Sequence, residues 1–132
     1  MKQEQMTEIL VLVKRIGNLF HDITDISMQL ADAIDRRDEV SMEMIIAMRA
    51  DPIAKLGVAD SALRQHLDSI EDGDEAGRIR AILNGDAAMA QNDQEKILAE
   101  QAGANIRSHR KLVELDEILN RKITQEKSIY HT

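Results

Sequence analysis

The chain has 132 residues and a formal net charge of −7; hydrophobic residues make up 43% of it and charged residues 31%, but aromatics only 2%. That length suits one domain, and abundant charge with aliphatic residues and a single Pro is the composition of long helices rather than of a β-sandwich or barrel. The absence of cysteine excludes disulfides, iron–sulfur clusters and Cys-based zinc sites. Nucleic-acid binding is not expected, because it needs phosphate-neutralising Lys and Arg.

No apolar run approaches the roughly 20 residues of a membrane span, so no stable membrane insertion is expected. The longest early apolar run, Ile9 to Val13, is too short for a signal-peptide core. A cytoplasmic protein is the resulting expectation. Charge is uneven: residues 1–105 carry 11 basic and 20 acidic residues, net −9, and residues 106–132 carry 6 and 4, net +2.

The clearest element comes first. Met6, Ile9, Val13, Ile16, Phe20, Ile23, Ser27, Leu30 and Ile34 recur at alternating steps of 3 and 4, a heptad seam. Leu12, Leu19, Ile26 and Ala33 form a second line beside it. A stripe this wide suits a helix covered by more than one neighbour. The helix should run from about Gln3 to Asp35, with Gly17 a weak point costing somewhat under about 1 kcal/mol.

Arg36-Arg37-Asp38-Glu39 is a break, with Asp38 placed to cap the next helix. That helix carries Val40, Met44, Ile45 and Met48 on one side. Met42, Met44 and Met48 suit core filling more than a partner surface, although methionine serves both. Asp51-Pro52 marks either a new helix start or a kink. Beyond it Ile53, Leu56, Leu63, Leu67 and Ile70 continue the apolar spacing, interrupted at Asp60 and loosened at Gly57.

Glu71 to Gly77 holds two glycines and four acids and is expected to be a loop. A short helical stretch with Ile79, Ile82 and Leu83 follows. Asn84-Gly85-Asp86 offers a helix stop and a fresh cap, or else a weak point in one longer helix. From Asp86 to about Lys122 the pattern is helical again, with a thin interior of Ala87, Ala90, Ile97, Leu98, Ala102 and Ala104 that Gly103 weakens. It strengthens at Leu112, Leu115, Leu119 and Ile123. Residues 124–132 lack periodicity and are expected to fray unless a partner orders them. The whole predicts an all-α fold: an elongated antiparallel helical hairpin or bundle with coiled-coil-like heptad packing, one domain over residues 1–123.

Chemistry is sparse. His21, His66, His109 and His131 include no i, i+4 pair and no Glu-x-x-His, so neither a zincin-type nor a di-iron helix motif exists. A phosphoacceptor histidine has a minor claim at His66 and His109, which lack the surroundings such domains carry. Asp22/Asp25, Asp32/Asp35 and Asp68/Glu71 place carboxylates on shared helix faces. In charge-rich helices such pairs read as solvated surface rather than as an acid–base couple. No glycine motif cradles phosphate. No catalysis, metal site or cofactor is expected.

The amphipathic stripe Leu112, Leu115, Leu119 and Ile123, flanked by Arg110, Lys111, Arg121 and Lys122, is the candidate partner-binding surface. It suits equally the closing of the bundle against the first helix.

A long heptad helix ends in Leu30-Ala31-Asp32-Ala33-Ile34-Asp35-Arg36-Arg37-Asp38, and an apolar helix ending near Arg49 follows. This layout resembles the FlgN-type flagellar export chaperones. Ile82-Leu83-Asn84, Asn92 and Ile97-Leu98-Ala99-Glu100-Gln101 look like that family's third helix. The third helix departs from the pattern, being poor in Leu between residues 84 and 111 and broken by Gly103. The resemblance implies a cytoplasmic type III export chaperone without catalysis. It would bind C-terminal helical segments of hook-associated junction proteins and deliver them to the export apparatus, through Leu112, Leu115, Leu119 and Ile123. The competing expectation is a helical scaffold or adaptor that self-associates through its N-terminal seam, which leaves a homodimer open.

Overall fold

The structure is a computed structural model that describes residues 1–130, with side chains described as far as Gln125. It is all-α. Helix α1 spans Gln3–Asp35, α2 Glu39–Asp68, α3 Gly73–Leu83 and α4 Asp93–Tyr130, with a single 3₁₀ turn at Ala87–Met89 before α4. No strand occurs among the described residues.

Helix α1 is the spine. All nine members of its heptad seam are buried, as are Leu12, Leu19 and Ala33 of the second line. Helix α2 returns antiparallel to it: Gln5 Nε2 at the start of α1 donates to the Ser69 hydroxyl just past the end of α2, at 2.7 Å. Helix α4 runs parallel to α1. Asn105 Nδ2 donates to the Val13 carbonyl at 2.8 Å, and far along both helices Lys122 pairs with Asp35.

Both α2 and α4 pack along α1, yet their backbones do not approach one another. The short α3 lies between them at one end, across from α1. This is the diagonal arrangement of a four-helix bundle, with a fourth member only 11 residues long.

The core follows that truncation. Around α3 it is fullest: Met6, Ile9 and Val13 meet Leu67, Ile70, Ala76, Ile79, Ile82 and Leu98. Ile9, Ile79, Ile82 and Leu98 have no exposed surface, and each such side chain contributes about 1.5–3 kcal/mol through burial. In mid-bundle Leu12, Ile16, Leu19, Phe20 and Ile23 meet Ala59 and Leu112. Farthest from α3 only Leu30, Ile34 and Leu119 are buried together, with Ala31, Met42, Ile45, Leu115 and Ile123 packed on them.

The breaks have local causes. At the end of α1 the Asp38 N–H donates to the Ala33 carbonyl and the Arg37 N–H to the Ile34 carbonyl, both at 3.0 Å. This double closure needs a left-handed residue, which is Arg37 at φ 56°. Asp38 then caps α2 as expected, accepting from the Ser41 N–H at 3.1 Å and the Ser41 hydroxyl at 2.6 Å. These two bonds hold its carboxyl below the usual carboxylate range. Gly85, at φ 107°, stops α3.

Of the two readings of Asp51-Pro52, the single longer helix holds: α2 passes through Pro52. Three expectations need correction. The acidic loop is shorter than its composition suggests. Asp72 accepts from the Asp74 and Glu75 N–H groups and starts α3 at Gly73, inside the expected loop. Asp86 begins only one 3₁₀ turn. Helix α4 begins at Asp93 behind a reciprocal cap: Asn92 Oδ1 accepts from the Glu95 N–H while Glu95 accepts from Asn92 Nδ2, both at 2.9 Å. That Asn-x-x-Glu signature was visible in the sequence. The third correction concerns the end of α4, which is helical to Tyr130, beyond the expected stop near Lys122 and through most of the segment 124–132 expected to fray. Residues 131–132 of that segment lie outside the described residues.

Candidate partner-binding groove

Because the backbones of α2 and α4 stay apart on either side of α1, a trough runs between them with α1 as its floor, bridged only by side chains. Helix α3 fills its first part. Where α3 stops, at Leu83 and Asn84, the trough opens into a cavity of about 400 Å³. Val13, Ile16 and Phe20 form its floor, Leu63 and Leu67 one wall, and Ala102, Ile106 and His109 the other. The exposed His109 ring tilts against Phe20, with centroids 5.5 Å apart. A second cavity of about 580 Å³ continues toward the far end, between Ile46, Ala50 and Ile53 of α2 and Leu119, Asn120 and Ile123 of α4.

Arg49 crosses the trough within the second cavity, which it lines together with Asp116. Its Nε donates to the Ser27 hydroxyl at 2.8 Å, and its terminal nitrogen pairs with Asp116 on the opposite wall. Ser27 is fully buried. A polar residue in an otherwise apolar seam is explained by this bond: a small hydroxyl leaves room for the guanidinium and gives it an acceptor.

Close approach of α4 to α1 depends on Gly17. A Cβ there would lie 2.7 Å from Gln101 Nε2 and also clash with Asn105. Gln101 donates to Asn105, which donates to the Val13 carbonyl. Gly17, which the sequence presents only as a weak helical position, is a contact point.

The four stripe residues divide. Leu112 is buried in the mid-bundle core against α1 and α2, and Leu119 against Leu30 and Ile34. Leu115 and Ile123 are half-buried beside Leu119. Only Leu119 and Ile123 border the trough. The stripe thus closes the bundle against α1 with most of its area.

The exposed apolar residues lie elsewhere. Ile46 and Ile53 stand on the α2 wall, and Val113 on α4 is exposed seven residues beyond Ile106. Met44 and Met48, expected in the core, are 61% and 51% exposed, and Val40 is 71% exposed; only Met42 and Ile45 of that group pack inward. Ile97, expected inside α4, is also exposed. The sequence hides this because α2 is apolar on several sides, so spacing does not single out one face.

A different cluster closes the α3 end. Glu95, 1% exposed, takes Arg78 Nε at 2.8 Å and its terminal nitrogen at 3.1 Å. The Gln91 N–H adds a bond at 3.2 Å. The Arg78 guanidinium holds the Glu95 carboxyl below its ordinary value, against the opposing effect of burial, and Glu95 in turn raises Arg78. This bidentate pair ties α3 to α4 and has every bond it needs.

No group of three or more His, Asp or Glu side chains placed to hold a metal ion occurs among the described residues. None of the helices is long and apolar enough to cross a membrane. His66 lies 3.2 Å from Glu8, a surface pair on the α1–α2 interface.

The fold and trough together define a helical bundle whose fourth helix is cut short. Compared with known proteins, the chain matches no family model, no curated protein and no solved structure.

Proposed function

We propose that this chain is a helix-binding chaperone whose trough takes up an amphipathic helix of a partner in the position that α3 vacates. The observation that carries this reading is the stop of α3 at Leu83. Beyond it an apolar floor and two walls continue with no fourth helix over them. From Val13 to Ile34 the trough is on the order of 30 Å long, the length of a helix of about 20 residues; its α1 floor is already buried, and the apolar surface left exposed along it is on the wall at Ile46 and Ile53. An apolar face of that length offers van der Waals packing and burial to a segment that would otherwise aggregate.

The resemblance to FlgN-type chaperones supplies the partner class: C-terminal helical segments of hook-associated junction proteins, held in the cytoplasm and passed to the flagellar type III export apparatus. Binding, not catalysis, is the role. The site moves from the stripe Leu112, Leu115, Leu119 and Ile123 as a whole to the trough that its Leu119 and Ile123 border, with Ile46 and Ile53 opposite. A scaffold self-associating through the N-terminal seam is disfavoured, because every seam residue is buried inside the bundle.

The test is titration of the full chain with peptides covering those C-terminal segments, read by calorimetry. Saturable one-to-one binding is expected. It should be lost in Ile46→Glu/Ile53→Glu, whose side chains are exposed and whose fold should persist. Absence of binding to every such peptide, or binding that ignores the double variant, would reject the proposal.

A further inference from the structure

A second groove runs between α1 and α2, and no residue of α4 lines it. It consists of two cavities end to end, of about 600 and 550 Å³, which meet at Leu19, Asp22 and Lys55. Its floor at Leu19, Pro52 and Ala59 is buried. The exposed apolar surface stands on its rims: Val58, 72% exposed, beside the first cavity and Met48 beside the second. Val11, also exposed, precedes Arg15 by one turn on the same ridge of α1.

The charges of this groove are divided along its length. Arg15 stands at one end, and Asp22 and Asp25 lie toward the other. All three are exposed, and none takes part in an ion pair among the described residues. Two helical turns, about 10 Å, separate Arg15 from Asp22, too far for the two to pair within one chain. The other charges of the groove, Lys55 and Asp51, satisfy each other at 3.0 Å. A face with an unpaired cation at one end and unpaired anions at the other is complementary to its own copy turned end for end.

We propose that this groove binds a second copy of the chain, packed antiparallel about a two-fold axis that crosses the groove where its two cavities meet. That axis sets Arg15 of each copy against Asp22 and Asp25 of the other. It also carries Val58 of each copy over the other's second cavity, and Met48 over the other's first. Each copy thus supplies both the apolar knobs and the hollows that receive them. A partner of different sequence has to match the two ends separately, whereas a second copy matches both by symmetry. From Val11 to Ile26 the face is on the order of 22 Å long and two helices, about 20 Å, across. Each copy therefore covers on the order of 400 Å², at the low end for specific protein pairs, and the dimer is reversible, of micromolar or weaker affinity. The net charge of −7 on each chain opposes association, so the two cross-pairs decide it.

The experiment is sedimentation velocity of the full chain from about 10 µM to 1 mM, where a reversible monomer–dimer equilibrium is expected. Arg15→Glu and Asp22→Lys/Asp25→Lys should each weaken self-association about tenfold or more, because like charges then meet across the axis. Mixed in equal amounts, these two variants should associate with each other as tightly as the parent does with itself, since opposite charges face one another again. Val58→Glu should be monomeric. Circular dichroism of every variant should match the parent, since all four positions are exposed; if a charge variant loses helicity, Val58→Glu carries the test. A parent chain that stays monomeric to about 1 mM, a dimer that survives both charge variants or Val58→Glu, or charge variants that fail to associate when mixed overturns the proposal.

Discussion

Arg37 and Glu95 show how much one residue sets in this chain. Arg37 occupies the left-handed position that closes α1, at φ 56°. A side chain there meets its own backbone, which glycine avoids. Arg37→Gly should therefore stabilise the chain by about 0.5–1 kcal/mol in urea titration. Glu95 is the opposite case, a buried carboxylate whose bonds come from Arg78, Gln91 and Asn92. Glu95→Ala strands Arg78 and removes the side-chain half of the reciprocal α4 cap, at a cost of about 3 kcal/mol. The pH dependence follows from the lowered carboxyl. Above the ordinary glutamate value near 4.5 the stabilisation is complete, and it drains away as pH falls through the lower folded value. Acid titration of the wild type should show this loss, and Glu95→Gln should flatten it.

Among the elements, α1 was legible and α2 was not. Helix α1 has one wide apolar stripe and one polar side, and its seam is buried throughout. Its glycine still needs the tertiary fold for its meaning. Gly17→Ala should bring little or no gain from helix propensity, because the new methyl displaces Asn105 and Gln101. Gly57→Ala in α2 faces open space and should gain about 0.5–1 kcal/mol. Thermal melts of the two variants should move apart. Helix α2 buries only Pro52, Ala59 and Leu67 fully, and leaves Val40, Met44, Ile46, Met48, Ile53 and Val58 exposed. Spacing alone could not assign its inward face. Helix α4 was partly legible: its Leu stripe is packed as one of the two expected alternatives, while its start is set by the Asn92–Glu95 cap rather than by Asp86.

For the whole molecule, the decisive feature is the mismatch between an 11-residue α3 and neighbours of 30 to 38 residues. The mismatch separates two kinds of apolar residue that look alike in sequence. Leu119 belongs to the core, so Leu119→Glu should lower stability on the order of 3 kcal/mol or more. Ile53 is exposed on the trough wall, so Ile53→Glu should leave the melting temperature within about 2–4 °C of the parent. Comparing the two melts checks the assignment of core and groove independently of any partner.

The sequence by itself determined that the chain is helical, where its first helix runs, and that the Arg37–Asp38 break ends it, because these depend on local periodicity, caps and backbone sterics. It also placed the aliphatic residues on stripes, but not against neighbours. Only the tertiary structure decided that Leu112 and Leu119 are core, that Met44 and Met48 are surface, and that Arg49 lies over Ser27. Each of those depends on which helices flank α1 and on where α3 stops. That is a matter of distances between residues far apart in the chain, to which a pattern of spacings along one helix carries no reference.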